Sequence, residues 1–283
     1  MGELELIRGV AARTRSAVVT GPAAAKLRGL HTLDRVSSVD LLLPGAVRAA
    51  KSRGGATNAI YRSGYLAPEH IVEHEGIRVV STIQMAFDTC RYYGPLAALV
   101  VLESARFRRP EVTEAELLEL ADTLPRAKGL AMFRRVIAYS AATSQTALET
   151  VGRHALIEAR IPGLNSIRGQ VSFEYLDLAR SHHHGRMDLL INGFICVELD
   201  GRGKYTSDIV SHEERFREKY LLNQGLLVLR AGWADVWGGV LEARVARAIR
   251  RMRCLENDPY AGNVPAPLND GELKRRRVHY ARH

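Results

Sequence analysis

Gly185 to Arg230 reads GRMDLLINGFICVELDGRGKYTSDIVSHEERFREKYLLNQGLLVLR, and the interpretation of this stretch decides the fold of the C-terminal half. A short apolar run, Met187 to Ile191, is followed by Asn192-Gly193 and a second apolar run, Phe194 to Leu199. Asn-Gly between two apolar runs predicts a β-hairpin, because both central residues of a type I′ turn need positive φ. Asp188 opens the first strand, while Glu198 and Asp200 alternate with Val197 and Leu199 and so share one strand face. Acids are disfavoured in strands, so three of them at one hairpin end need a reason. Either they mark an exposed strand end, or they gather hard oxygen ligands for a divalent cation. Register separates the two cases. A two-residue turn would set Asp188 opposite Val197, facing away from Glu198, whereas a three-residue loop with a bulge, or a bend at the strand start, would bring the carboxylates together.

Asp188, then Glu198-Leu199-Asp200-Gly201 ten positions on, with Lys204 after the glycine, resembles the PD-(D/E)XK nuclease superfamily. More narrowly, it resembles the branch related to very-short-patch-repair endonucleases. In that branch an Asp, a hairpin and Glu-x-Asp-Gly-x-x-(His or Lys) precede a basic helix. A strand ending in Leu-Arg (here Leu229-Arg230) and a Trp-Ala-Asp segment (here Trp233 to Asp235) then follow. The similarity spans roughly residues 140–255. It implies Mg²⁺ (or Mn²⁺) held by Asp188 and Glu198, with Asp200 orienting water, Lys204 stabilising phosphorane charge, and Glu149 as an outer ligand or base orienter. The superfamily's lysine two residues after the glutamate is absent; Asp200 holds that place.

The N-terminal half shows segments similar in order and spacing to the C-terminal part of AbiEi-family antitoxins of type IV toxin–antitoxin systems. They are VVTGPAAAKLRGL (18–30), VSSVDLLLP (36–44) and GIRVVSTIQMAFDTC (76–90), followed by an alanine-rich helix. The winged helix–turn–helix that usually opens those antitoxins has no counterpart in the roughly 15 residues before the first segment. Read without the resemblance, this half is a mixed α/β domain: strands at 18–20, 36–43, 59–65 and 77–80, and helices at 3–15, 22–29, 83–92, 95–107, 113 onward and 128–142.

The C-terminal half is expected to run α-β-β-β-α-β-α. Its elements are a helix 145–160 capped by Thr143 or Ser144, a strand 170–178, the hairpin, a helix from Ser207 or Asp208 to Asn223, a buried strand 226–229 and a helix 235–253. The predicted class is thus α/β. A mixed α/β domain (1–142) is joined to a restriction-endonuclease-like domain with a mixed sheet flanked by helices (143–258) and a basic, flexible tail (259–283).

The chain holds 283 residues with a net charge of +9, 46% hydrophobic and 25% charged, the balance of an ordinary globular protein. Basic and acidic side chains number 19 and 14 in residues 1–140, 16 and 15 in 141–258, and 5 and 2 in 259–283. The excess favours nucleic acid as a partner. Candidate phosphate contacts are Arg186, Arg215, Lys219, Arg230 and the stripe Arg244, Arg247 and Arg251 on one side of the last helix. DNA is the expected partner and a cognate toxin a further one; sequence does not fix the oligomeric state. No run reaches the ~18 apolar residues of a membrane span. The three cysteines, far apart in sequence, and an N-terminus without an apolar signal core lead us to expect a cytoplasmic protein. His182-His183-His184 is expected in a loop that is solvated or touches DNA, since consecutive residues rarely converge on one zinc ion. Gly201-Arg202-Gly203-Lys204 lacks the residues of a P-loop or dinucleotide fingerprint, and no nucleophile elbow occurs.

Overall fold

In the computed structural model the described residues are 2–47, 58–176, 181–201 and 212–251, with the side chains of 46–47 and 212–215 excepted. The chain divides into two compact units, Met1–Ala142 and Thr143–His283.

The N-terminal unit begins with α1 (Glu3–Ala11), β1 (Val18–Thr20), α2 (Gly21–Leu27) and β2 (Val39–Leu42). Four short strands follow, β3 (Gly45–Val47), β4 (Ala59–Tyr61), β5 (Gly64–Leu66) and β6 (Ile71–His74), and then β7 (Ile77–Val80). The unit closes with α3 (Thr82–Tyr93), α4 (Pro95–Arg108), α5 (Glu114–Asp122) and α6 (Leu130–Tyr139). Five strands form a mixed sheet in the order β4-β2-β1-β7-β6, and β3 pairs with β5 separately. The expected single strand over 59–65 is therefore two strands in two sheets, because the chain turns at Arg62-Ser63. Helix α4 is buried on all sides from Leu96 to Ser104, the pattern of a central core helix rather than an amphipathic one. Ser81 caps α3 by accepting from the Gln84 amide at 3.4 Å, and Thr113 and Glu116 close a capping box at α5.

The C-terminal unit contains α7 (Ala147–Glu158), β8 (Ile167–Leu176), β9 (His182–Ile191), β10 (Ile195–Leu199), α8 (His212–Asn223), β11 (Leu227–Ala231), α9 (Trp233–Trp237) and α10 (Val240–Arg251). Its mixed sheet has the order β11-β10-β9-β8, with β10 parallel to β11 and the other pairs antiparallel. Both units are thus mixed α/β, with sheets flanked by helices. Four expectations are corrected. The cap of α7 is Thr146, whose hydroxyl accepts from the Glu149 amide at 3.2 Å. The last helix is split by Gly238-Gly239, where Gly239 has φ 76°. Strand β11 is half-exposed rather than buried, because it is a sheet edge. His182–His184 belong to β9, not to a loop. The expected cap of α8 and the tail lie outside the described residues.

Candidate functional site

The hairpin turn decides what the acids of β9 and β10 can do. Asn192 (φ 49°) and Gly193 (φ 76°) both occupy the left-handed region, and the Phe194 amide donates to the Ile191 carbonyl at 3.1 Å. These are the marks of a type I′ turn. The ladder that follows nevertheless pairs Ile191 with Ile195, Leu190 with Cys196 and Leu189 with Val197. Phe194 is therefore an extra residue, a bulge that moves the register by one. Asn192 anchors this loop: its Oδ1 accepts from the Asn165 and Ser166 amides (2.8 and 3.0 Å), and its Nδ2 donates to the Gly163 carbonyl (2.6 Å).

With that register the next pair along is Asp188 and Glu198. The backbone ladder stops there, and the Asp188 carboxylate substitutes for it, accepting the Leu199 amide at 2.7 Å. On the far side of β9, Gly169 pairs with Leu189 and Val171 with Met187. This leaves Gln170, with φ 55°, at the level of Asp188. On the other side Glu198 pairs with Arg230. Gln170, Asp188, Glu198 and Arg230 thus lie in one row across the four strands.

Helix α7 brings a third carboxylate to this row. Glu149 is buried, and it accepts from the Gln145 amide (2.9 Å), the Thr146 hydroxyl (3.0 Å) and the Gln170 side-chain amide (2.6 Å). Burial raises its carboxyl above the usual range against the pull of these hydrogen bonds. Asp188 is pushed up to about 6, first by burial and then by the charges of Glu149 and Glu198, with the Leu199 amide opposing. Asp188 thus meets negative charge from both Glu149 and Glu198, which favours a cation beside it.

One cation is already present. Arg217 of α8 donates from Nη2 to Glu198 Oε2 at 2.6 Å, with both side chains largely out of solvent. Leu190, Cys196 and Leu221 pack together beside this pair, and burial pushes the Cys196 thiol up, so it is no nucleophile at neutral pH. Asp200 is exposed just beyond β10, and its amide donates to the Ala231 carbonyl at 3.1 Å. Lys204 lies outside the described residues, as does the side chain of Arg215.

The expected phosphate-contacting residues spread over three elements. Arg186 is exposed on β9 and donates to the Gln145 side chain. Lys219 is exposed on α8, and Arg230 pairs with Glu218 at 3.0 Å. Arg244 is held by the Arg230 carbonyl (3.0 Å) and by Asp235 (3.7 Å), while Arg247 and Arg251 are exposed on α10. The helix buries Leu241, Val245, Ala248 and Ile249 on its other side. The three histidines alternate along β9: His183 stacks on Tyr175 (ring centroids 5.3 Å), and His184 faces Glu174 at 3.6 Å.

Among the described residues, no group of three or more His, Cys, Asp and Glu side chains could hold a metal ion. The donor set that does fit is a pair. Asp188 and Glu198 supply hard oxygens at one level of the sheet, and Mg²⁺ keeps several waters and needs only one or two carboxylates. Glu149, engaged by three donors, is built as an acceptor rather than a ligand. Sequence reasoning missed Arg217 as the partner of Glu198. A helical signal was available, since Arg217 precedes the buried Leu221 by four residues and so shares its face. Compared with protein-family models, curated proteins and solved structures, the chain matches none.

Proposed function

We propose that the C-terminal unit is a PD-(D/E)XK-type, divalent-metal-dependent endonuclease domain acting on DNA, of the kind used in phage defence or DNA repair. The observation that carries the reading is the bulged Asn-Gly loop, which sets Asp188 beside Glu198. Asp188 and Glu198 would hold Mg²⁺ or Mn²⁺, and the ion would orient and deprotonate a water and neutralise phosphodiester charge. Glu149 restrains Gln170 and raises the proton affinity of Asp188. Arg217 fixes Glu198 and supplies positive charge near the reacting phosphate, the place of the absent superfamily lysine. Asp200 faces solvent at the strand end, where it can orient water, and Lys204 is assigned to phosphorane stabilisation from the sequence resemblance alone. Arg186, Lys219, Arg230, Arg244, Arg247 and Arg251, together with Arg215, would track the backbone.

The test is cleavage of supercoiled plasmid in Mg²⁺ or Mn²⁺ by wild type, Asp188→Ala and Glu198→Ala. Cleavage by wild type, with a loss of ~10² or more in both variants, supports the reading. Equal cleavage by all three would assign the activity elsewhere.

A second reading is favoured by the same ion pair. Arg217 already neutralises Glu198 at 2.6 Å, as expected of a nuclease fold retained for binding alone. The protein would then be a nucleic-acid-binding or type IV antitoxin-like protein. The AbiEi-like part of that reading is motivated by the sequence segments 18–30, 36–44 and 76–90, similar in order and spacing to those antitoxins. Salt-sensitive DNA binding without cleavage, and without a calorimetric Mg²⁺ signal that Asp188→Ala abolishes, would select it.

A further inference from the structure

We propose that the N-terminal unit carries a separate binding site for a small amphiphilic anion, an apolar body bearing one carboxylate-type head. A cavity of about 550 Å³ opens between the end of α2, the start of α3, the end of α4 and helix α5. That volume lies within the roughly 300–1,000 Å³ of small-molecule sites. Its body is apolar, formed by Leu30, Ile83, Leu102, Val112, Leu117 and Leu120. Leu120 lines it while standing 45% exposed.

The charge around this cavity is one-sided. Arg28, Arg106, Arg108 and Arg109 line it, against a single carboxylate, Glu69, which faces solvent. Arg109 pairs with Glu111 at 2.9 Å, and Arg106 donates to the Ser140 carbonyl and hydroxyl at 2.6 and 2.7 Å. Arg108 donates to the backbone carbonyls of Arg28 and Gly29. Arg28 is half-buried, with its Nη1 on the Thr82 hydroxyl at 2.9 Å. Among the described residues no carboxylate pairs with Arg28 or Arg108. Burial without an opposing charge depresses the Arg28 guanidinium, and a carboxylate head would supply that charge. His70, also in the lining, is buried and engaged by Ser81 (2.9 Å) and Thr123 (3.2 Å), so it braces the wall.

A carboxylate-headed apolar molecule matches both features, its body replacing water over the leucines and its head meeting Arg28. The chain's own segment 259–283 is a poor occupant, with five basic and two acidic side chains against an arginine rim. This inference rests on the N-terminal unit alone and is independent of the nuclease reading.

The test is isothermal titration of the full-length protein with decanoate and with decan-1-ol, both below the concentrations at which they aggregate. The expected result is saturable decanoate binding, with decan-1-ol at least tenfold weaker. Arg28→Gln should weaken decanoate about tenfold or more and leave decan-1-ol unchanged. Leu120→Glu, at an exposed position that tolerates substitution, should weaken decanoate through repulsion even if Arg28→Gln folds poorly. Equal affinity for acid and alcohol, or no binding of decanoate, would overturn the proposal. So would decanoate affinity unaffected by both substitutions.

Discussion

Asp188 shows how a single side chain can oppose the fold that holds it. Its carboxyl is raised from an ordinary 3.8 to about 6. Between those values the folded chain binds more protons than the unfolded one, so stability falls as pH rises through that window. Below about pH 4 both states are protonated and the penalty vanishes; above about pH 6 it is fully developed. In buffer containing a chelator, Asp188→Asn is therefore expected to be more stable than wild type at pH 7. The gain should be roughly 1–2 kcal/mol, since the site is partly solvated, and asparagine Oδ1 can still accept the Leu199 amide. Denaturant melts at pH 4 and pH 7 check this. A gain of equal size at both would mean that packing, not charge, is responsible.

At the scale of elements, α10 sets a buried face, which takes in Glu242 with the apolar residues, against an exposed one. Leu241, Val245, Ala248 and Ile249 are buried, whereas Arg247 and Arg251 are exposed and one turn apart. If that face meets phosphates, replacing both arginines by alanine should weaken binding similarly for unrelated DNA sequences. It should also reduce the slope of log K against log salt by about 1.8, two contacts at ~0.9 each. An unchanged slope would remove α10 from the interface. The elements also show what sequence patterns carry. Ile77–Val80 and the helices begun by Ser81 and Thr113 were legible because alternation and capping are local. Strand β6 was missed because its hairpin turns on Glu75-Gly76, with φ 51° and 75°, where glutamate replaces the usual Asn or Asp. The split of β4 from β5 is a tertiary event with no local signature beyond Arg62-Ser63. In the candidate site, Asp188, Glu198 and Asp200 could be named from their place in the hairpin, and Glu149 only through the family resemblance. Arg217 could be set on the buried face of α8 through Leu221, but its pairing with Glu198, 19 residues away, is a tertiary contact with no local signature.

On the scale of the whole molecule, each unit has a core of its own. Leu99 at the centre of α4 and Ile195 in β10 are both fully buried. Leu99→Ala and Ile195→Ala should each cost about 2–5 kcal/mol. Native-state hydrogen exchange should localise each loss to the substituted unit, leaving the slowest amides of the other unaltered. Acceleration in both units from either substitution would show that the two stabilities are coupled. No helix among the described residues is long and apolar enough to cross a membrane.

The bulge at Phe194 bears on heritable variation. Surface loops ordinarily tolerate gain or loss of a residue better than the strands they join. In this hairpin the tolerance is inverted. A substitution at 192–194 can cost the left-handed turn or the Asn192 hydrogen bonds, but it adds or removes no residue and so does not by itself change the count that sets the register. Deleting one residue would slip β10 by one position, turn Glu198 to the opposite sheet face and bring Val197 beside Asp188. The length of the loop is therefore under selection along with Asn192 and Gly193, and a lineage that shortens it forfeits the carboxylate pair without mutating either acid.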